Sequence, residues 1–180
     1  MMFLTAGSAH AFDVALVGQL EVTDPQFDPG LTGSTTAITP GGGLLLSHYF
    51  KSVVGIEVGA LFTDYHLRVE DAGVTTDSSN RYLQIPFMLR IQPDPAFSFG
   101  GGYFIGSNMS GDDLTKSDSG LVFGGGSKIP IGKSKKFSFL IDARYLIGGT
   151  NLSEDSTRSL KVNHIQVLVG VSFTIGKGGK

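Results

Sequence analysis

Apolar and polar residues alternate with a period of two over eight stretches of the chain, at about 12–22, 37–49, 53–66, 81–92, 97–108, 119–131, 136–148 and 162–175. That period puts successive side chains on opposite faces of a β-strand. In the fourth stretch Leu83, Ile85, Phe87, Leu89 and Ile91 share one face, and Gln84, Pro86, Met88 and Arg90 share the other. In the last, Ile165, Val167, Val169, Val171, Phe173 and Ile175 oppose His164, Gln166, Gly170, Ser172 and Thr174. The connections alternate too. Those at Lys51-Ser52, Pro93-Asp94-Pro95 and Gly132-Lys133-Ser134-Lys135 are short, whereas 23–36, 67–80, 109–118 and 149–161 read as longer loops rich in Asp, Ser, Thr and Gly. An even strand count joined in this way predicts an all-β fold, an eight-stranded antiparallel up-and-down barrel with both ends of the chain at the short-turn side.

Periodicity alone does not say which face meets the barrel axis. A soluble barrel turns its apolar face inward, and a barrel in lipid turns it outward. No run approaches the roughly 20 apolar residues of a spanning helix, so a spanning structure here has to be a closed barrel. The alternation of loop lengths favours that solution, with greasy side chains facing lipid. The 180 residues suit one domain. We expect residues 1–11 to be residual signal peptide ending in the cleavable pattern Ala9-His10-Ala11, 12–176 to be the barrel, and 177–180 to be a polar tail.

On that reading Glu57, Arg90, Lys128, Asp142 and Arg144 point inward as an interior polar cluster, with Gln19, Gln84, His164 and Gln166 on the same face. Opposite charges confined in a narrow barrel are expected to pair, because an unpaired buried charge is costly. The cluster is therefore expected to be structural and to plug the lumen. Inward glycines such as Gly100, Gly102, Gly124 and Gly126 would make room for long neighbours, and Pro86, with no N–H, predicts a bulge or local break in pairing. Charged residues are only 17% of the chain and the net charge is −2, which excludes the basic field of a nucleic-acid binder. The absence of Cys removes disulfides and thiolate metal sites.

Four segments carry a resemblance. They are Tyr82-Leu83-Gln84-Ile85-Pro86, Gly120-Leu121-Val122-Phe123-Gly124-Gly125-Gly126, Ala143-Arg144-Tyr145 with Gly148 and Asn151, and Gly170-Val171-Ser172-Phe173. In this order and spacing the chain resembles the small outer-membrane β-barrel domain family, the OmpX and PorT-like eight-stranded barrels, over roughly 12–175. The resemblance implies the fold of an outer-membrane barrel and says almost nothing about activity; we expect a monomeric bacterial outer-membrane protein surrounded by lipid, without cofactor or catalytic residues, and with a structural or surface-interaction role through its outward loops. Members usually finish on an aromatic residue, whereas this chain continues past Phe173. With no Trp, an aromatic girdle would rest on residues such as Tyr49, Phe50, Tyr103 and Tyr145.

Two other functions deserve weight. A lipid A-modifying membrane enzyme needs a nucleophile, a base and an acid that converge; Ser47 and His48 are adjacent in a strand and point to opposite faces. A soluble lipocalin-like carrier needs an apolar cavity, which inward Glu57, Arg90 and Asp142 would deny it. The stretch Gly126 to Ser134 has five residues between its glycines and leads into a strand, unlike a phosphate-binding loop. Asp112, Asp113, Asp118, Glu154 and Asp155 read as acidic loop positions without EF-hand spacing.

Overall fold

The computed structural model describes residues 12–27, 34–35, 37–50, 53–71, 74–110, 117–133, 136–152 and 160–176. The expected signal segment 1–11, the tail 177–180, Lys51-Ser52, Asp112-Asp113 and Glu154-Asp155 lie outside them. Eight long strands form the fold: β1 Phe12–Phe27, β2 Ala37–Phe50, β3 Val54–Asp71, β4 Val74–Asp94, β5 Phe97–Asn108, β6 Asp118–Ile131, β7 Phe137–Gly148 and β8 Leu160–Ile175. Ser34–Thr35 adds a two-residue pairing against Val69 and Arg68 of β3. Every pairing between neighbours in the chain is antiparallel, and β1 pairs with β8 from Phe12↔Ile175 to Phe27↔Leu160, which closes the cylinder. Closure leaves no unpaired edge within the barrel wall.

Exposure assigns the faces. Val169 is 42% exposed and Arg90 is 1% exposed. Ile165, Val167, Val171, Phe173 and Ile175 share the outer face with Val169, as the alternation predicts. The apolar band runs about nine to eleven residues along each of most strands, for example from Ile165 to Ile175, and that is the length a tilted strand needs to cross hydrocarbon. Phe12, Phe50, Phe97 and Phe137 ring its short-turn end; Phe62, Tyr103, Phe123 and Tyr145 stand towards the other. Tyr49 is not part of this girdle. It turns inward, where the Lys128 ammonium sits 5.3 Å from its ring centroid.

Four strands are longer than their period-two signal. The segment 67–80, expected to be a loop, instead continues the β3–β4 ladder from Leu67↔Ser78 to Asp71↔Val74. Likewise β1 and β8 pair beyond Val22 and Val162. Beyond the hydrocarbon both faces of a strand meet water, so the backbone ladder persists while the apolar alternation stops. At the short-turn end β4 runs through Pro93 to Asp94, with a register shift between Ile91 and Asp94, and the turn is Pro95-Ala96. Asp94 Oδ1 accepts the Ala96 N–H at 2.8 Å and fixes that turn.

Pro86 acts as its chemistry requires. Pairing of β3 with β4 lapses between Val58↔Phe87 and Leu61↔Gln84, and the register on both sides is unchanged. The interruption is therefore a local break rather than a bulge. On its other side Pro86 stays in register with Phe104 of β5.

Candidate functional site

The lumen holds polar contacts that run from wall to wall. Glu57 comes from β3, Arg90 from β4, and Asp142 and Arg144 from β7, which stands across the cylinder from β3. Arg144 Nη2 donates to Glu57 Oε1 at 2.8 Å and its Nε donates to Asp142 Oδ1 at 2.7 Å. Arg90 Nη2 lies 2.8 Å from Asp142 Oδ2 and 3.1 Å from Glu57 Oε1. Two guanidinium groups thus share two carboxylates, and the quartet is charge-balanced. All four residues are buried.

The room for this quartet comes from β6. A Cβ on Gly124 would stand 2.9 Å from Arg144 Cγ, and one on Gly126 would meet Asp142 Oδ2 at 2.6 Å and the Ile141 carbonyl at 2.3 Å. Lys128 shares the inward face but belongs to another contact. Its Nζ donates to Asp13 Oδ2 at 2.8 Å, and Thr174 donates to the other Asp13 oxygen at 2.6 Å. Lys128 is half-buried at the short-turn end, where β6 faces β1 across the opening. Apolar side chains fill in around these groups, with Ala15, Val17, Leu45, Leu61, Leu140 and Leu168 in one cluster and Met88, Phe104, Val122 and Leu146 in another.

Towards the long-strand end lies a second polar layer. Glu21 Oε2 accepts from Gln19 Nε2 at 2.6 Å and from Gln166 Nε2 at 2.8 Å. Gln166 also donates to Gln84 Oε1 from the opposite wall, Gln84 donates to the Tyr65 hydroxyl at 2.8 Å, and Tyr65 reaches Asp118 Oδ2 at 3.4 Å. His164 sits among them, wholly buried, with Nδ1 2.8 Å from Glu21 Oε1 and Nε2 3.6 Å from Asp118 Oδ2. Neither approach is aligned as a directed hydrogen bond. Tyr65 stacks on Tyr82 at 4.0 Å between centroids.

Sequence reasoning places Gln19, Gln84, His164 and Gln166 on the inner face but misses Glu21, Tyr65 and Tyr82 as their partners. Asp118, expected in an acidic loop, is the first residue of β6 and is fully buried against His164. The signal was available: Asp118 has the parity of Gly120, Val122 and Gly124, and Glu21 has that of Gln19. Ser47 faces the lumen, and His48 lies outside between Phe12, stacked at 4.5 Å, and Phe50, edge-on at 4.6 Å. The two do not converge. Among the described residues no three His, Asp or Glu side chains group as metal ligands.

An outer surface of exposed aliphatic and aromatic side chains around an ionic interior defines a membrane-spanning β-barrel. The chain belongs to the outer membrane protein β-barrel domain family, whose sequence profile matches residues 1–173. Its place is the bacterial outer membrane. The fold is similar to that of the outer membrane protein OprG from Pseudomonas aeruginosa, with a TM-score of 0.70 at 14% identity over 97% of this chain and 100% of that one. Ail, the attachment invasion locus protein of Yersinia pestis, solved with the heparin analogue sucrose octasulfate, gives a TM-score of 0.55 at 16% identity over 92% and 99%. The outer membrane protein AlkL, solved by solid-state NMR in DMPC bilayers, gives 0.53 at 13% identity over 100% and 97%. These likenesses are of fold. No curated protein sequence matches the chain.

Proposed function

We propose that this is a monomeric barrel whose lumen is plugged by its own side chains and whose role is structural or surface-interacting, carried by what projects outside the bilayer. The observation that carries the reading is the Arg144–Glu57 contact of 2.8 Å between opposite walls, locked by Arg90 and Asp142. An eight-stranded barrel is just wide enough for side chains to fill it. Pairs that reach across the lumen at hydrogen-bond length leave no aqueous path at their level. The inward ionic set also removes the apolar cavity that a small-ligand carrier needs, and the separation of Ser47 from His48 supplies no nucleophile and base for lipid A chemistry.

The surface role draws support from β3 and β4. From Phe62 to Asp71 the ladder continues past the apolar band, about 30 Å of strand at roughly 3.3 Å per residue, and it projects a paired hairpin beyond the membrane. Ail, similar in fold, was solved with a sulfated sugar analogue, and a surface ligand is the corresponding kind of partner here.

The test is electrical. Refolded protein in a planar bilayer should give no steady conductance step, whereas a steady, reproducible step would overturn the plugged lumen. Light scattering in detergent should return the mass of one chain of 19.0 kDa plus its micelle.

A further inference from the structure

We propose that His164 is a proton-operated latch: as an imidazolium it holds Glu21 of β1 and Asp118 of β6 together at the outer end of the lumen, and loss of its proton loosens that layer while the arginine quartet stays shut. The inference rests on the plugged-lumen reading and adds a means of regulation to it.

The geometry begins with the ring. Its two nitrogens face carboxylates on two different strands, Nδ1 at 2.8 Å from Glu21 Oε1 and Nε2 at 3.6 Å from Asp118 Oδ2. Only an imidazolium carries a proton on both nitrogens. The other groups packed around it offer no positive charge. From β3 comes Tyr65, its ring 4.4 Å from the imidazole and stacked in turn on Tyr82 of β4. From β5 comes Phe104, edge-on at 6.5 Å, and Thr23 of β1 and Leu146 of β7 flank His164 in register. Among the described residues no Lys or Arg bonds to Glu21 or Asp118. The imidazolium is thus the cation available to both.

Hydrogen bonding in the layer also runs towards the acids. Gln19 and Gln166 donate to Glu21, while Gln84 donates to Tyr65 and Tyr65 to Asp118. Glu21 Oε1, which faces Nδ1, is buried without an aligned hydrogen-bond partner, and Asp118 turns its Oδ2 towards Nε2, so the charge of His164 lies between the two acids. Removing that proton leaves two buried carboxylates around a neutral ring, an arrangement that favours the entry of water and separation of the strands. The sign follows: the layer is closed at pH values below the titration of His164 and loosens as pH rises through it. The quartet behaves differently because its cations are guanidinium groups, which stay protonated.

The experiment uses the full chain refolded in nanodiscs, between about pH 6 and pH 10. Nitrogen NMR of the His164 ring follows its charge, and amide exchange, corrected for the intrinsic effect of pH, follows each layer. The ring should pass from cationic to neutral, and the amides of Glu21, Asp118 and His164 should lose at least tenfold protection in step with it. Those of Glu57, Arg90 and Asp142 should hold theirs, and His164→Gln should abolish the step. A ring already neutral at the acid end, or protection unchanged while the ring titrates, would overturn the latch. The wild-type measurements decide even if the variant does not fold. Steady conductance at the acid end with the pH step intact would overturn the plugged lumen and leave the latch standing.

Discussion

At the scale of residues, the quartet and the glycines beside it are one construction. Arg144 reaches Glu57 only because β6 offers no side chain at Gly124 and Gly126, and each arginine bonds to carboxylates from both walls. Removing one member strands its partner as a buried charge. Arg144→Ala should therefore cost about 3–5 kcal/mol, read as a lower midpoint in urea unfolding from detergent or bilayers, and a loss near zero would show the pair to be hydrated. Gly126→Ala tests the space itself. Its new methyl would meet the Ile141 carbonyl at 2.3 Å, a backbone atom that cannot swing away as a side chain does. A loss of about 1–3 kcal/mol is expected from such overpacking, measured in the same unfolding series.

At the scale of elements, what decided legibility was the solvent on each side of a strand. Where one face meets lipid and the other the lumen, alternation is enforced, so the spans of β5 to β7 and the inward parity of Glu57, Arg90, Asp142 and Arg144 could be read directly. Where β3 and β4 leave the bilayer, pairing no longer needs an apolar face, and polar composition disguised strand as loop at 67–80. The outer layer was half legible. Parity put His164 and Gln166 inside and was available for Glu21 and Asp118 as well, but their convergence on one ring depends on barrel stagger that a single sequence does not display. The band itself makes a graded prediction on β8. Val169→Arg, in the middle of the exposed apolar run, should cost about 2–4 kcal/mol of folding free energy in bilayers, and Ile175→Arg at its end about 0–1 kcal/mol. Equal costs for the two would mean that the run from Ile165 to Ile175 does not lie across the hydrocarbon.

At the scale of the whole molecule, two parts of the same sheet answer to different forces. The barrel is held by closure, lipid and cross-lumen contacts that include Tyr65 and Tyr82, whereas the β3–β4 extension past His66↔Ser79 continues as its own ladder with Ser34–Thr35 against it. Among the described residues, the bonds of the quartet and the exposed apolar side chains involve none beyond His66↔Ser79 in that hairpin. The extension should therefore be separable. A chain cut back to the His66↔Ser79 pair and rejoined through Asn-Gly, a sequence suited to a two-residue hairpin turn, should still fold in detergent. Its unboiled form should migrate differently from its boiled form on a gel, as the full-length barrel should, with an unfolding midpoint within error of the parent. If the shift disappears, the extension is part of what closes the barrel, and the division between a lipid-held cylinder and a self-paired extension is wrong.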